Sequence, residues 1–323
     1  MLPFAYSRPE AETAALRAGG TFIAGGTQLL DLMKLGTIAP DRLVDINDLA
    51  LRQIEIGKDG LILGALARMS DVERHAGILS DYPVIAATMS LAASQQIRNM
   101  ASLAGNVLQR TRCAYFRDAD NMQCNKRIAG SGCAALEGVN RKHAILGASD
   151  RCIATYPGDF AQALVALGAD LHTTGPDGQR RIAFEQLHTG PDDPHKETVL
   201  APGELITAFA IPAGPWTRRS VYVKVRDRES YAYGLATAAV ALHVEGGTVR
   251  EARIGLGGVA YRPWRAHEAE QSLRGKTLDE GTASAAARIA FAGAKPRGAN
   301  AFKVDLGQRT LVRALLQANR MEG

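Results

Sequence analysis

The chain has 323 residues, of which 46% are hydrophobic and 22% are charged, a composition that is ordinary for a globular protein with sizeable cores. The net charge of +5 comes from basic residues that are spread along the chain without interleaved aromatic side chains, which argues against a nucleic-acid-binding face. No apolar run reaches the roughly 18 residues that a membrane-spanning helix needs, so we expect no membrane span.

A glycine turn lies near the N-terminus. An apolar run ends at Ala24, the pair Gly25-Gly26 follows, and an amphipathic segment runs from Leu29 to Leu35. This order predicts a strand, a tight turn and the start of a helix. Glycine lets a ligand approach bare backbone N–H groups, which favours a cradle for phosphate or pyrophosphate. An ordinary strand-to-helix turn fits this stretch equally well, because glycine pairs are common in turns.

A second turn of small residues contains Ser102, Gly105 and Asn106. Such residues offer short polar groups that suit a second phosphate or a ribose. Taken alone, the turn is better explained as the C-cap of a helix at Gly105-Asn106.

The pattern becomes irregular over residues 111–151, where Arg, Asn, Asp, Gly and Cys replace the periodic apolar residues. Regular structure resumes at Cys152, and a helix is predicted at 160–167. Asp159 lies just before that helix, where a carboxylate commonly acts as an N-cap.

Strands and helices do not alternate regularly along the chain, which predicts an α+β fold. Residues 212–216 have the character of a linker. The periodicity predicts strands at 43–46, 54–56, 61–63, 205–211, 219–226, 235–244 and 248–257, and helices at 9–18, 28–35, 82–94, 160–167, 264–273, 280–292 and 302–320.

The four cysteines, Cys113, Cys124, Cys133 and Cys152, all lie within one 40-residue window. Two disulfides are the weaker interpretation, because the chain is large and no signal peptide is evident. Zinc sites usually have ligands in close pairs, and no CxxC pair occurs here. Four thiolates in a loop-rich, basic segment suit an iron–sulfur cluster, although four unrelated thiols remain an alternative.

Several pieces of the chain together resemble the FAD-binding (medium) subunit of the molybdenum hydroxylases, the xanthine dehydrogenase family. Their number and order over nearly the whole chain make the resemblance strong. The matching pieces are Phe22-Ile23-Ala24-Gly25-Gly26-Thr27-Gln28-Leu29, Ala101-Ser102-Leu103-Ala104-Gly105-Asn106, Pro157-Gly158-Asp159, Pro202-Gly203-Glu204-Leu205-Ile206, Tyr222-Val223-Lys224-Val225-Arg226 and Gly257-Gly258-Val259-Ala260.

The cysteine-rich insertion resembles one subgroup more closely, the flavin subunits of bacterial periplasmic aldehyde oxidoreductases, with those of 4-hydroxybenzoyl-CoA reductases second. Both carry an added [4Fe-4S] cluster, so the resemblance implies that Cys113, Cys124, Cys133 and Cys152 hold such a cluster. The matching pieces are Arg110-Thr111-Arg112-Cys113-Ala114-Tyr115-Phe116, Cys124-Asn125-Lys126-Arg127 and Gly130-Ser131-Gly132-Cys133-Ala134-Ala135.

The resemblance also implies the domains and the FAD contacts of the glycine turn. Residues 1–215 would form a two-part FAD-binding domain of the PCMH type, with the iron–sulfur insertion at about 111–151. Residues 216–323 would form a smaller α+β domain of the flavoprotein C-terminal type. Backbone N–H groups of the turn would surround the FAD pyrophosphate, and its residues are Ile23, Ala24, Gly25, Gly26, Thr27, Gln28, Leu29 and Leu30.

The remaining FAD contacts follow in the same way. Ser102, Gly105 and Asn106 would form the second cofactor loop, although Ala104 replaces a glycine that many relatives have between them. Asp159 would hydrogen-bond on the adenosine side, Ile206 would pack on the flavin or adenine, and Lys224 would lie near the polar edge of the flavin. These further contacts are assigned to Ser102, Gly105, Asn106, Asp159, Ile206 and Lys224.

The function implied by the resemblance is that of an electron-transfer subunit, containing FAD and a [4Fe-4S] cluster, in a heterotrimeric molybdenum aldehyde oxidoreductase. Electrons would pass from a large subunit with the molybdenum cofactor, through a small [2Fe-2S] subunit, to FAD and then to an external acceptor. No side chain of this chain is expected to be catalytic. A flavin subunit of the xanthine dehydrogenase or hydroxybenzoyl-CoA reductase type is the alternative within the family.

Two functions outside this assignment are also considered, a stand-alone FAD enzyme and a zinc-stabilised scaffold. The first would need a base, and the seven histidines show no pairing with a nucleophile. The first 18 residues lack a signal-peptide pattern, so we expect no export signal in this chain. Location in the periplasm would then depend on export with a partner, and a cytoplasmic location is the alternative.

Overall fold

The computed structural model describes residues 1–118 and 122–322. Residues 119–121 of the predicted cysteine insertion and Gly323 of the predicted C-terminal domain lie outside the described residues. The described strands are β1 (Ala5–Ser7), β2 (Thr21–Ile23), β3 (Arg42–Asp45), β4 (Ile54–Gly57), β5 (Gly60–Gly64), β6 (Asp170–Gly175), β7 (Gly178–Ala183), β8 (Leu205–Pro212), β9 (Ser220–Val225), β10 (Ala236–Glu245), β11 (Thr248–Gly257) and β12 (Trp264–Arg265).

The helices account for most of the remaining regular structure, and short 3₁₀ turns occur at Phe184–Gln186 and Gly298–Asn300. No helix within the described residues is both long enough and apolar enough to cross a membrane. The described α-helices are α1 (Glu12–Ala18), α2 (Leu29–Lys34), α3 (Met69–Arg74), α4 (Ala76–Asp81), α5 (Pro83–Ser90), α6 (Gln95–Met100), α7 (Leu103–Val107), α8 (Ala114–Arg117), α9 (Phe160–Leu167), α10 (His267–Leu273), α11 (Glu280–Ala290) and α12 (Phe302–Asn319).

The described strands form three sheets. The first sheet is parallel, with β3 between β1 and β2. The second is antiparallel in the order β4-β5-β8-β6-β7, and the third is antiparallel in the order β12-β11-β10-β9. Strands and helices alternate only in the short first sheet, so the predicted α+β fold class is confirmed.

The third sheet is covered on both faces, because its strands have apolar residues on each side. On β10, Ala239 and Ala241 lie in the core of the N-terminal part, whereas Ala238 and Val240 lie in the core beneath the C-terminal helices. On β9, Tyr222 faces the first of these cores. The arrangement follows from the two-residue period of a strand, and it makes one sheet serve two cores.

Helix α9 packs closely on this sheet, and two glycines of β11 make the approach possible. A Cβ at Gly255 would lie 2.3 Å from the carbonyl oxygen of Gln162 in α9, and one at Gly257 would lie 2.1 Å from Nε2 of Gln162. Neither position has room for a side chain. The contact fixes the start of α9, and therefore Asp159 just before it.

Most predicted elements form, with small shifts at their ends. The turn between β10 and β11 consists of Gly246 and Gly247, both with positive φ. The helix predicted over 82–94 stops at Ser90, and Ala93 has a φ of 49°, which an α-helix cannot contain. Residues 264 and 265 form β12 and not the start of a helix, because they pair with β11.

The domain boundary at 215/216 stays a prediction. Strand β8 ends at Pro212 and β9 begins at Ser220, so the predicted linker lies between two strands of different sheets.

The close packing of α9 on β11 can be tested by adding one methyl group. We predict that Gly255→Ala lowers the free energy of unfolding by about 1–3 kcal/mol, because the methyl group overlaps the backbone of α9. Denaturation in urea, followed by circular dichroism, measures this change. Gly190→Ala is the control, since a Cβ at Gly190 has no heavy atom within 4 Å. Equal stability of the two variants would contradict the contact.

Candidate functional site

A cavity of about 750 Å³ lies between the glycine turn, the second turn and the edge of the third sheet. Its volume is within the range of roughly 300–1,000 Å³ that is typical of small-molecule and cofactor sites. The cavity brings together all the predicted FAD-contact residues except Leu30 and Ile206. Those that line it are Ile23, Ala24, Gly25, Gly26, Thr27, Gln28, Leu29, Ser102, Gly105, Asn106, Asp159 and Lys224.

The glycine turn, whose residues line this cavity, has unpaired backbone N–H groups. Within the described part of the chain, the N–H groups of Gly25, Gly26, Thr27 and Gln28 donate to no protein acceptor. Gly26 has a φ of 67°, which an L side chain rarely adopts. Helix α2 has only six residues, so its dipole is small. The capacity to bind an anion therefore comes from the N–H groups of the turn itself.

Gly25 is required for a different reason, which is a close approach of two backbone segments. A Cβ at Gly25 would lie 2.0 Å from the carbonyl oxygen of Met100. Met100 ends α6, and the second turn begins immediately after it. The contact therefore holds the two turns side by side on one cavity.

The second turn is the start of a helix and not its end. Ser102 is the N-cap of α7, and its Oγ accepts a hydrogen bond of 3.2 Å from the Gly105 N–H. Gly105 and Asn106 lie inside α7, so the C-cap interpretation is wrong. Oδ1 of Asn106 is buried without a hydrogen-bond partner in the described structure, although Asn106 lines the cavity. A buried acceptor of this kind is suited to a donor group of a ligand.

Asp159 and Lys224 form a buried ion pair at the wall of the cavity. Nζ of Lys224 lies 2.7 Å from Oδ2 of Asp159, and it also donates to the carbonyl oxygen of Leu91 at 3.0 Å. The hydroxyl of Tyr222 donates to Oδ1 of Asp159 at 2.6 Å. Burial, together with the Asp159 carboxylate, raises the pKa of Tyr222 well above its ordinary value, so the phenol keeps its proton.

This pairing changes two expectations. The carboxylate of Asp159 makes no cap hydrogen bond to α9, because Lys224 and Tyr222 hold it. Lys224 is only 1% exposed and is neutralised by Asp159, so it is not a free cation beside the cavity.

Two predicted contact residues lie away from the cavity. Leu30 is half-buried, and its Cδ1 would lie 3.0 Å from a Cβ at Gly26, so it packs beneath the turn. Ile206 is 3% exposed on β8, inside the main core. The structure thus places Ile206 in the core and not at the cavity, because its side chain belongs to the main buried cluster, and its contact with FAD stays a prediction.

Sequence reasoning missed other residues that line the cavity. Ala93 and Tyr231 are the two non-glycine residues with positive φ in the described structure, and both lie at the cavity. Backbone conformations of this kind are concentrated at ligand sites. The run Tyr231-Ala232-Tyr233, in the loop between β9 and β10, was a visible aromatic signal. The missed polar and aromatic residues are Asp31, Gln109, Arg110, Arg112, Tyr231 and Tyr233.

The four cysteines are close to one another, and all are free thiols. Cys124 and Cys133 face each other across an antiparallel bridge. Cys113 contacts one buried cluster that contains Cys152 and another that contains Cys124. The disulfide interpretation is therefore not supported by the structure.

The thiols lie in a mostly buried environment. Burial raises the pKa of Cys113 to about 11 and that of Cys152 to about 12, although nearby Lys126 acts in the opposite direction on Cys152. Within residues 1–118 and 122–322, no three His, Cys, Asp or Glu side chains are grouped closely enough to bind a metal ion. The [4Fe-4S] cluster at these cysteines therefore stays a prediction.

The cysteine segment is anchored on the C-terminal part of the chain. Lys303 of α12 is fully buried, and its Nζ donates to the carbonyl oxygens of Lys142, His143 and Gly258 at 2.9, 3.0 and 2.6 Å. Nε2 of His143 lies 3.2 Å from Sγ of Cys113. The position of the first cysteine is thus connected to the C-terminal domain.

Comparisons with known proteins define the class of protein to which this cavity and fold belong. Residues 4–214 match the family described as the FAD binding domain in molybdopterin dehydrogenase, and residues 221–318 match the CO dehydrogenase flavoprotein C-terminal domain. The chain belongs to the family of FAD-binding subunits of the molybdenum hydroxylases. It is accordingly an oxidoreductase subunit that binds FAD.

Individual relatives cover nearly the whole chain. The chain is 45% identical to the aldehyde oxidoreductase FAD-binding subunit PaoB of Escherichia coli (strain K12), over 98% of this chain and 99% of that protein. It is 30% identical to the carbon monoxide dehydrogenase medium chain of Afipia carboxidovorans, over 92% and 88% of the two chains. It is 24% identical to the xanthine dehydrogenase FAD-binding subunit of Escherichia coli O157:H7, over 85% and 79%.

A solved structure gives the same result for the fold. The Cu,Mo-CO dehydrogenase in its cyanide-inactivated form contains a chain that superposes with a TM-score of 0.77 and 27% identity, over 99% of both chains. The prediction of the family is therefore confirmed.

The buried pair at the cavity wall leads to a stability prediction. We expect Lys224→Met to lower the free energy of unfolding by about 3–5 kcal/mol, because Asp159 is left as an uncompensated buried charge. The double variant Asp159→Asn/Lys224→Met should lose less, since no buried charge remains. Chemical denaturation of the flavin-free chains compares the two. A double variant that is no more stable than Lys224→Met would contradict this account.

Proposed function

We propose that this chain is the electron-transfer subunit, containing FAD and a [4Fe-4S] cluster, of a heterotrimeric molybdenum aldehyde oxidoreductase. Its partners would be a large subunit with the molybdenum cofactor, a small [2Fe-2S] subunit and an external electron acceptor. In this assignment substrate oxidation takes place on the large subunit, and no side chain of the present chain is catalytic.

The observation that carries the FAD site is the row of unpaired N–H groups at Gly25, Gly26, Thr27 and Gln28, residues that line the cavity. These groups suit the diphosphate of FAD, because they supply four donors in sequence, and Gly25 and Gly26 have no side chain that would obstruct its approach. Asn106 adds a buried acceptor that lacks a partner. The residues present therefore fit the cofactor. Flavin, when bound, supplies electron transfer in one- or two-electron steps.

The chain's own residues orient the cofactor and limit its surroundings. The glycine turn would bind the diphosphate, and Ser102 fixes the start of α7 beside it. The pair of Asp159 and Lys224 provides a polar wall that is neutral overall, with hydrogen-bonding atoms on both members. We propose that this pair contacts the ribose or the polar edge of the flavin as a unit.

The cluster is proposed from the donor set of the cysteine segment. Four free thiols converge there, and basic side chains are close to them, such as Lys126, whose charge partly offsets the burial that raises the pKa of Cys152. Soft thiolate donors and a positive surrounding suit an iron–sulfur cluster, and such a cluster supplies one-electron transfer when bound. Cys113, Cys124, Cys133 and Cys152 would be its ligands.

The aldehyde oxidoreductase assignment is supported by the degree of similarity. The chain is 45% identical to the aldehyde oxidoreductase subunit and 24% identical to the xanthine dehydrogenase subunit. The first relative also matches over almost its full length. Export to the periplasm together with a partner subunit stays a prediction.

Substitution in the glycine turn tests the FAD site. We predict that Gly26→Val binds FAD at least tenfold more weakly, because valine is strained at a φ of 67° and disturbs the N–H groups. Flavin absorbance and fluorescence titration measure the affinity. Gly36→Val is the matched control, since Gly36 has a φ of 70° with no atom near its Cβ and does not line the cavity. Stoichiometric FAD with wild-type affinity in Gly26→Val would refute the assignment.

Metal and sulfide analysis tests the cluster. We predict about four iron and four acid-labile sulfide per chain in the anaerobically purified protein, from the composition of such a cluster. Cys133→Ser should lose most of both, because one ligand is removed, while the control Ser80→Ala, at an exposed position on α4, should retain them. Zinc without sulfide would support the scaffold alternative and reject the cluster.

A further inference from the structure

The segment Arg110–Arg117, which we call the basic segment, lies directly against the glycine turn and α2. The side chain of Gln28, in the turn, pairs with the backbone of Arg110 in both directions. Its Oε1 accepts from the Arg110 N–H at 2.6 Å, and its Nε2 donates to the Arg110 carbonyl oxygen at 3.0 Å. The turn that faces the cavity is thus joined to the start of the cysteine segment.

A second connection is electrostatic and centres on Asp31 of α2. Its carboxylate accepts from Nη1 of Arg112 at 3.1 Å and from Nη2 of Arg117 at 2.9 Å. Asp31 lines the cavity, so an unpaired carboxylate there would repel a diphosphate. Arg112 and Arg117 supply the charge that removes this repulsion.

The third connection is apolar. Leu32 of α2, Phe116 of the basic segment and Cys124 form one buried cluster, and Cys113 packs against it. Two of the four cysteines therefore touch the same apolar group that supports α2. Cys113 and Cys124 are therefore connected to α2 by direct packing.

We propose that Arg112 and Arg117 are positioning residues that couple the cysteine site to the dinucleotide site, so that occupation of either site raises the affinity of the other. The inference rests on the proposed function, because it needs both FAD and a cluster. Ligation of Cys113 and Cys124 fixes the basic segment, and the two arginines then stay on Asp31. Without ligation the segment is held less firmly, and Asp31 is neutralised for a smaller fraction of the time.

The experiment compares FAD affinity in the full chain with and without its cluster. Wild-type protein is freed of FAD and divided into a cluster-containing sample and a sample whose cluster is removed by oxidation and chelation under anaerobic conditions. FAD is titrated into both by fluorescence quenching. We expect at least about fivefold tighter binding with the cluster, the lower end of common coupling between sites. By reciprocity, FAD should stabilise the cluster by the same factor.

The double variant Arg112→Met/Arg117→Met should bind FAD more weakly in both samples. The ratio of its FAD affinity with the cluster to its FAD affinity without the cluster should fall below about two. Arg309→Met/Arg313→Met, on the exposed side of α12, is the matched control and should keep the wild-type ratio. Because Arg117 is largely buried, the single variant Arg112→Met is measured as well. We expect its ratio of FAD affinities to lie between that of the wild type and that of the double variant Arg112→Met/Arg117→Met.

Adding Asp31→Asn to the double variant distinguishes charge compensation from simple disruption of structure. The triple variant should recover the FAD affinity, because the repelling carboxylate is gone, but it should not recover the difference between the samples. Disruption of the fold would not be rescued by this change. The iron and sulfide content of every variant is measured in parallel.

The outcomes separate this inference from the proposed function. Absence of FAD binding, or of iron and sulfide, overturns the proposed function and the inference with it. Binding of both cofactors with equal FAD affinities in the two wild-type samples overturns the inference alone. A ratio that survives in Arg112→Met/Arg117→Met, or a triple variant with no recovery of affinity, also overturns it.

Discussion

The cavity depends on a contact between two stretches of backbone, the one between Gly25 and Met100. A Cβ at Gly25 would lie 2.0 Å from the Met100 carbonyl oxygen, so only glycine allows the turn to lie where it does. The segment after Met100 is itself held by backbone hydrogen bonds, because the N–H groups of Leu103 and Ala104 donate to the carbonyl oxygens of Ala67 and Ala65. A ligand that binds to the glycine turn therefore also contacts the second turn.

The ion pair of Asp159 and Lys224 forms part of the wall of the same cavity. Asp159 precedes α9 of the N-terminal part, whereas Lys224 belongs to β9 of the third sheet. Arg226 joins Lys224 on the carbonyl oxygen of Leu91, at 3.0 Å for each. These bonds hold the chain where α5 has ended and Ala93 takes its positive φ, so a strained backbone residue is fixed at the cavity wall.

The sequence was sufficient to predict the family, the α+β class, most elements and part of the cavity lining, because the glycine turn, Ser102, Asp159 and Lys224 lie in recognisable short motifs. What it could not provide is pairing between distant side chains. Nothing local indicates that Asp159 prefers Lys224 and Tyr222 to the N–H groups of α9. The burial of Ile206 could not be predicted for a similar reason, since it depends on apolar side chains of the main cluster that are far away in the sequence.

The third sheet contributes side chains to two cores, and this has a consequence for how the protein is divided into domains. The match to the first sequence family ends at residue 214 and the match to the second begins at residue 221, which suggests a domain boundary between these residues. In the folded chain, however, α5 and α9 rest on β9, β10 and β11, which lie beyond that point. Removing the C-terminal part would expose the apolar faces of both helices to water. The linker is therefore a border between sequence families and not a hinge between mechanically independent bodies.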